Sequence, residues 1–185
     1  HGSDLIIATD PDADRMGVMV KKGDGSFVPL SGNQMGALLL EYIITAYKLC
    51  GGLDKDAYAV KSIVSTELAS EICRVNGVKM YEVLTGFKYI GEVIKKHEEE
   101  GKGTYILGFE ESYGYLKGTY ARDKDAVVAS LLVCEMAAYY RSKGMTLYDA
   151  ILEIYKKYGY YTEKTISFEV TGIDAAEKLE KLMVR

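Results

Sequence analysis

Residues 58–84 read YAVKSIVSTELASEICRVNGVKMYEVL. An apolar run over 58–64 gives way to a helical pattern near 66–75, Asn76-Gly77 turns the chain, and a second apolar run fills 78–84. Strand, helix and strand in that order predict a crossover connection and parallel pairing. The pattern continues downstream with a helix near 87–99, a strand at 104–109, a Gly-rich loop, a long helix from about Asp123 to Lys143, and a helix capped by Thr146 that runs to about Tyr158. Upstream, Ser31 and Gln34 form an S-x-x-Q capping signal ahead of an apolar helical stretch that Gly51-Gly52 stops. The expected class is α/β, a three-layer α/β/α arrangement with a mostly parallel mixed sheet covered on both faces.

Ahead of that unit, residues 4–9, 16–21 and 26–30 read as three strands, the last two joined by the Gly23-Asp24-Gly25 turn. They form a small β unit, and a domain boundary is expected near Ser31. Beyond Gly159, TEKTISFEVTG reads as a strand and IDAAEKLEKLMVR as a helix. His1-Gly2-Ser3 resembles a vector remnant, and the first strand has no initiator methionine before it, so an excised fragment is expected.

Composition narrows the function classes. The 185 residues are 48% hydrophobic and 27% charged, as in a globular protein with a real core. No apolar run reaches the roughly 20 residues of a membrane span. A net charge of -4 without a block of Lys or Arg argues against a nucleic-acid surface and for small substrates. Cys50, Cys73 and Cys134 are odd in number and lie in or beside helical stretches, so they read as reduced, small buried hydrophobes of a cytoplasmic protein.

The apolar strand DLIIAT runs directly into DPDADR, placing Asp10, Asp12 and Asp14 at alternate positions with Arg15 beside them. Three like charges so close need a positive partner. Pro11 pushes Asp10 to an extended conformation, and an extended or tightly turned backbone can aim alternate carboxylates at one spot. Hard oxygen ligands in that number suit Mg²⁺ completed by water or a substrate phosphate, and the planar fork of Arg15 suits phosphate oxygens. A solvated acidic turn and the strand-end D-x-D nucleophile of a phosphatase are the competing readings. A D-x-D-x-D-G calcium loop fails, because Arg15 stands at its sixth position and Lys21 at its twelfth.

A second loop, YILGFEESYGYLKGTYARDKDAV over 105–127, follows a strand whose carboxyl end is where open α/β sheets bind ligands. Alternation predicts that Glu110 and Ser112 share a direction while Glu111 points elsewhere. A carboxylate and a hydroxyl side by side can grip adjacent sugar hydroxyls. Asp123 or Asp125 is expected to cap the next helix, and Arg122 and Lys124 add positive charge near its N-terminus. Surface charge and a plain capping role are the bland alternatives for these residues. LTGFKYIG, over 84–91, reads as an ordinary strand-to-helix turn.

Taken together, these stretches resemble the α-D-phosphohexomutase family, the phosphoglucomutases and phosphomannomutases. The resemblance rests on DPDADR, on T-G-F-K at 85–88, on G-F-E-E-S-Y-G at 108–114 and on R-D-K-D at 122–125, in that order and over essentially the whole chain. It implies a phosphoglucomutase-domain fold: residues 1–31 end the family's second domain, 32–159 form its third, and 160–185 link to the fourth. It also implies a Mg²⁺-dependent transfer of a phosphoryl group within a sugar phosphate, through a phosphoserine and a bisphosphorylated intermediate such as glucose 1,6-bisphosphate. Asp10, Asp12 and Asp14 would hold the metal and Arg15 the phosphoryl group. Glu110 and Ser112 would bind the sugar's hydroxyls, Thr85, Gly86 and Phe87 would face the sugar, and Arg122 and Lys124 would line the cleft. The family's serine motif and its R-x-S-G-T-E-P phosphate loop are absent from this sequence, so turnover is not expected from it alone. F-E-E-S-Y-G-Y is similar to the bacterial phosphoglucomutase and phosphopentomutase branch more than to the G-E-x-S-G-H phosphomannomutases. An aspartate-nucleophile phosphatase and a non-catalytic sugar-phosphate-binding module are the alternatives from other classes.

Overall fold

The computed structural model describes residues 2–164 together with 166, 180 and 181. The strand and helix expected beyond Gly159 fall largely outside the described residues. The named elements among the described residues run in the order β1 (Leu5–Thr9), β2 (Met16–Lys21), β3 (Phe27–Leu30), α1 (Gly32–Leu49), β4 (Tyr58–Ser62), α2 (Glu67–Asn76), β5 (Lys79–Val83), α3 (Phe87–Glu100), β6 (Tyr105–Glu110), β7 (Gly114–Leu116), α4 (Ala126–Ser142) and α5 (Leu147–Tyr158).

Two sheets form. β1, β2 and β3 make an antiparallel meander, with Thr9 opposite Met16 and Val18 opposite Leu30. The second sheet has the order β5-β4-β6-β7; β4 is parallel to β5 and β6, and β7 returns antiparallel to β6. It is a mixed, mainly parallel sheet in a three-layer arrangement. Ala59, Leu107 and Phe109 join the core that contains α1 and α2, while Tyr58, Val60 and Leu116 join Phe87, Ile90 and Ile94 of α3 on the other face. The chain leaves β4 for β5 on one side, and β6 lies on the other side of β4. That reversal makes β4 and β6 a topological switch point, and the carboxyl ends of such a strand pair are the usual binding position in sheets of this kind.

The small meander does not stand apart. Met16, Val18 and Val20 alternate inward along β2 and are buried in the same core as residues of α1, α4 and α5. Burial of three such side chains stabilises the docking by about 1.5–3 kcal/mol each, as an upper figure. This contact carries the loop between β1 and β2 to the N-terminus of α4.

Helix starts follow the sequence signals. Ser31 and Gln34 form a reciprocal capping box, and Thr146 forms another with Asp149. α4 starts at Ala126, capped by Asp125, whose carboxylate accepts from the amides of Val127 and Val128 at 2.9 Å each. Asp123 instead pairs with Lys124. β4 stops at Ser62, two residues short of the apolar run, because Ile63 and Val64 enter a turn closed by the Ser65 amide on the Ser62 carbonyl and stand half exposed. Only Cys73 among the three cysteines is buried, and burial raises its thiol pKa to about 12. Cys50 terminates α1 and Cys134 lies on the outer face of α4, so both are exposed rather than core residues.

Candidate active site

Three loops and one helix start meet at the carboxyl edge of the mixed sheet. In the loop 10–15, the Ala13 amide bonds the Asp10 carbonyl and the Asp10 amide bonds the Arg15 carbonyl. Ala13 adopts a left-handed φ of 55°. The turn aims one carboxylate oxygen from each of Asp10, Asp12 and Asp14 to within 4.8 Å of one another. Asp10 Oδ1 also accepts the amides of Asp14 and Arg15, at 3.2 and 3.1 Å. The Arg15 amide, helped by the Asp14 amide and the Arg15 charge and opposed by desolvation, lowers the Asp10 pKa.

The cations beside this cup only partly neutralise it. Arg15 Nε lies 3.6 Å from Asp10 and 3.5 Å from Asp14, and Lys124 Nζ lies 2.9 Å from Asp14 Oδ2. Burial alone would lower the pKa of Lys124, but Asp123 and Asp14 outweigh it and raise the value, so the ammonium stays charged. Asp14 Oδ1 is buried without a hydrogen bond. A buried carboxylate oxygen with no hydrogen bond and only a 3.5 Å ion-pair contact to Arg15 Nε is costly by itself. A hard divalent cation would satisfy it, so the donor set fits Mg²⁺.

The loop joining β6 to β7 is the second component. Glu110, buried at its base, accepts the Gly86 amide at 2.7 Å through Oε1. Glu111 turns the other way and accepts from Ser62 Oγ at 2.9 Å. Ser112 stands exposed at the tip, and Tyr113 follows with a left-handed φ of 71°. The third component, Thr85-Gly86-Phe87, opens α3: Thr85 is exposed, Gly86 has φ 116°, and Phe87 is buried.

These parts are joined by the backbone. Arg15 and Gly114 form a β-bridge, the Met16 amide bonds the Tyr113 carbonyl at 3.1 Å, and the Ala126 amide bonds the Ala13 carbonyl at 3.0 Å. Lys124 spans all three loops: its ammonium is on Asp14 and 5.5 Å from the Phe87 ring centroid, while its stem lies where a side chain at Gly114 would be. Asp10, Asp12, Asp14, Arg15, Lys124, Phe87 and the 110–114 loop are thus brought together. Arg122 is not: it pairs with Glu98 of α3 and with the carbonyls of Thr119 and Ala121.

Two features of this site are missing from the sequence reading. The Glu110–Gly86 link couples two loops, and nothing in the spacing of residues 86 and 110 signals it. Ser62 and Ser65, buried beneath the loop, had a visible signal, since they end the strand next to β6, but they read there as a strand end and helix start.

At the strand-order reversal the acidic cup and the hydroxyl-bearing loop thus stand side by side. Residues 31–158 match the model of phosphoglucomutase/phosphomannomutase, alpha/beta/alpha domain III. The chain belongs to the phosphoglucomutase/phosphomannomutase family. It is 38% identical over 181 residues to a phosphoglucomutase of Staphylococcus aureus, covering 98% of this chain and 32% of that relative. The chain therefore spans about a third of the length of the curated relatives it matches. A crystal structure from Thermus thermophilus, described as a phosphomannomutase, superposes with a TM-score of 0.65 at 27% identity, covering 84% of this chain and 31% of that one. An Aspergillus fumigatus N-acetylphosphoglucosamine mutase, solved with GlcNAc-6P and magnesium, shares the fold with a TM-score of 0.61 at 17% identity, over 82% and 35% of the two chains. No helix among the described residues is long and apolar enough to cross a membrane.

Proposed function

We propose that this chain is the central part of a Mg²⁺-dependent phosphoglucomutase that interconverts glucose 1-phosphate and glucose 6-phosphate through a phosphoserine and glucose 1,6-bisphosphate. The observation that carries the reading is the Arg15–Gly114 bridge, which fixes the acidic cup against the loop holding Glu110 and Ser112. In this reading residues 1–31 close a second domain, 32–159 form a third, and 160–185 lead to a fourth. The phosphoserine and the phosphate loop lie in other parts of the parent, and this chain alone does not turn over.

Asp10, Asp12 and Asp14 hold the cation, whose positive charge, when bound, offsets the charge on transferring phosphoryl oxygens. Arg15 orients those oxygens through its fork. Glu110 uses Oε1 on Gly86, and its second oxygen and the Ser112 hydroxyl receive two sugar hydroxyls. Lys124 stays protonated beside Asp14 and supplies a fixed positive charge for the phosphoryl group. The reaction turns the sugar phosphate end for end, so a grip on hydroxyls midway between its two ends serves both orientations.

The motif F-E-E-S-Y-G-Y sets mannose below glucose and pentose, and the Staphylococcus aureus phosphoglucomutases favour glucose over pentose. A phosphorus NMR time course of the full-length parent with glucose 1-phosphate, Mg²⁺ and a trace of glucose 1,6-bisphosphate tests this. Glucose 6-phosphate should accumulate with the parent and not with this chain. Conversion only of a pentose or mannose phosphate would replace the substrate. Release of free phosphate with a covalent label on Asp10 would replace the mutase by a phosphatase.

A further inference from the structure

Glu111 lies between the two proposed sugar ligands, and its side chain points down into the protein. Its Oε2 accepts from Ser62 Oγ at 2.9 Å, and Ser62 Oγ lies 2.8 Å from Ser65 Oγ. Both serines are buried, at 0% and 4% exposure. Each hydroxyl has one proton; Ser62 gives its proton to the carboxylate, so Ser65 donates to Ser62. The relay continues by way of the backbone. The fully buried Lys61 donates to the Ser65 carbonyl at 3.1 Å and is neutralised by Glu67 at 2.9 Å and Glu82 at 3.2 Å.

This relay bridges the carboxyl ends of β4 and β6, the two strands at the strand-order reversal. It acts together with a close backbone approach, since the Glu111 carbonyl sits where a Cβ on Gly32 of α1 would be. The Asn33 side chain next to it accepts the Thr66 amide at 3.0 Å, tying α1 to the same turn. Glu111 is held at side chain and backbone, and Glu110 and Ser112 lie on either side of it.

Resting on the phosphoglucomutase reading, we propose that Glu111 is a positioning residue for sugar binding: through Ser62 and Ser65 it fixes the loop that presents Glu110 and Ser112. The bond matters through its directionality and burial, because an unpaired Ser62 hydroxyl there would be left without water.

The test uses the full-length parent. Glu111→Ala and Ser62→Ala should each raise KM for glucose 1-phosphate about tenfold, the loss of one hydrogen bond to a charged group, with kcat falling less. Glu111→Gln retains an acceptor oxygen and should bring KM back to within about twofold of wild type, which a role for the charge itself would not allow. Amide exchange in peptides covering 110–116 should quicken in Glu111→Ala and not in Glu111→Gln. An unchanged KM in Glu111→Ala, or unchanged exchange over 110–116, overturns the proposal. If the wild-type parent converts no sugar phosphate, the functional reading fails, while the exchange measurement still decides whether Glu111 fixes the loop.

Discussion

The aspartate loop at 10–15 and the proposed sugar loop at 110–114 share a backbone bridge and one structural device, a non-glycine residue at positive φ, yet they are held in opposite ways. The aspartate loop is fixed largely through its backbone, and its carboxylates converge with one buried oxygen left unbonded. The sugar loop is fixed through its side chains, Glu110 on Gly86 and Glu111 on Ser62, while Ser112 and Tyr113 stand exposed. The left-handed residues, Ala13 and Tyr113, each cost on the order of 1 kcal/mol or more, and the surrounding bonds offset it. Strain therefore lies where the two loops face each other. The contrast sets one region with an unsatisfied buried oxygen, as the proposed cation site requires, against another satisfied internally so that it can hold its shape.

Changing the first region should harm function without harming the fold. In the parent, Asp12→Asn removes one of three clustered like charges and should lower turnover on the order of 10²–10³-fold, as losing a charge-stabilising group does. The melting temperature should stay the same or rise. A mutant that unfolds more easily would show the triad to be a structural element.

Disturbing the packing under the second region should harm the fold itself. Gly32→Ala forces a Cβ into the Glu111 carbonyl and should cost roughly 1–3 kcal/mol in denaturant unfolding. Gly17→Ala, where nothing lies within 4 Å of an added Cβ, is the matched control and should show no such loss. Equal stability of the two variants would mean that the loop yields at no cost.

Asp125 touches both regions, because it caps α4 while its own amide bonds the Tyr115 carbonyl, and the next amide bonds Ala13. Burial alone would raise its pKa, but the Tyr120 hydroxyl and the amides of Val128 and Val127 outweigh it, and the pKa is lowered. Asp125→Ala should cost about 1 kcal/mol, while Asp125→Ser, which keeps a capping oxygen, should recover most of that.

The smallest effect concerns pH behind the sugar loop. The hydrogen bond from Lys61 lowers the Glu67 pKa below its ordinary 4.5. A depressed carboxylate stabilises the fold above its unfolded pKa, and that contribution disappears as pH falls through the folded value. The urea midpoint should therefore fall between about pH 5 and pH 3, with a shallower slope in Glu67→Gln. Identical slopes would show the exposed carboxylate to be uncoupled from Lys61.

The class and order of the fold are legible in residues 58–84 because strand and helix periods alternate there and Asn76-Gly77 punctuates them. The capping boxes at Ser31 and Thr146 are legible for the same reason: both are local. β7 was not, since three residues in a Gly-rich stretch give no period and its pairing comes from β6. The aspartate triad could be read because alternate residues of one loop make it. The bonds of Glu110 to Gly86 and Glu111 to Ser62 could not, because they join residues 24 and 49 positions apart that meet only after the sheet has formed. Arg122 shows the converse: its position near the helix start suggested the cleft, while Glu98 of α3 draws it away.

The most direct test of the account is Mn²⁺, as a paramagnetic stand-in for Mg²⁺, titrated into the isotopically labelled chain and followed by amide line broadening. The account predicts broadening centred on residues 10–15 and extending across the bridge to Tyr113 and Gly114, reversed by excess Mg²⁺ and lost in Asp12→Asn. Broadening centred elsewhere, or none at these amides, would contradict a cation site beside the sugar loop.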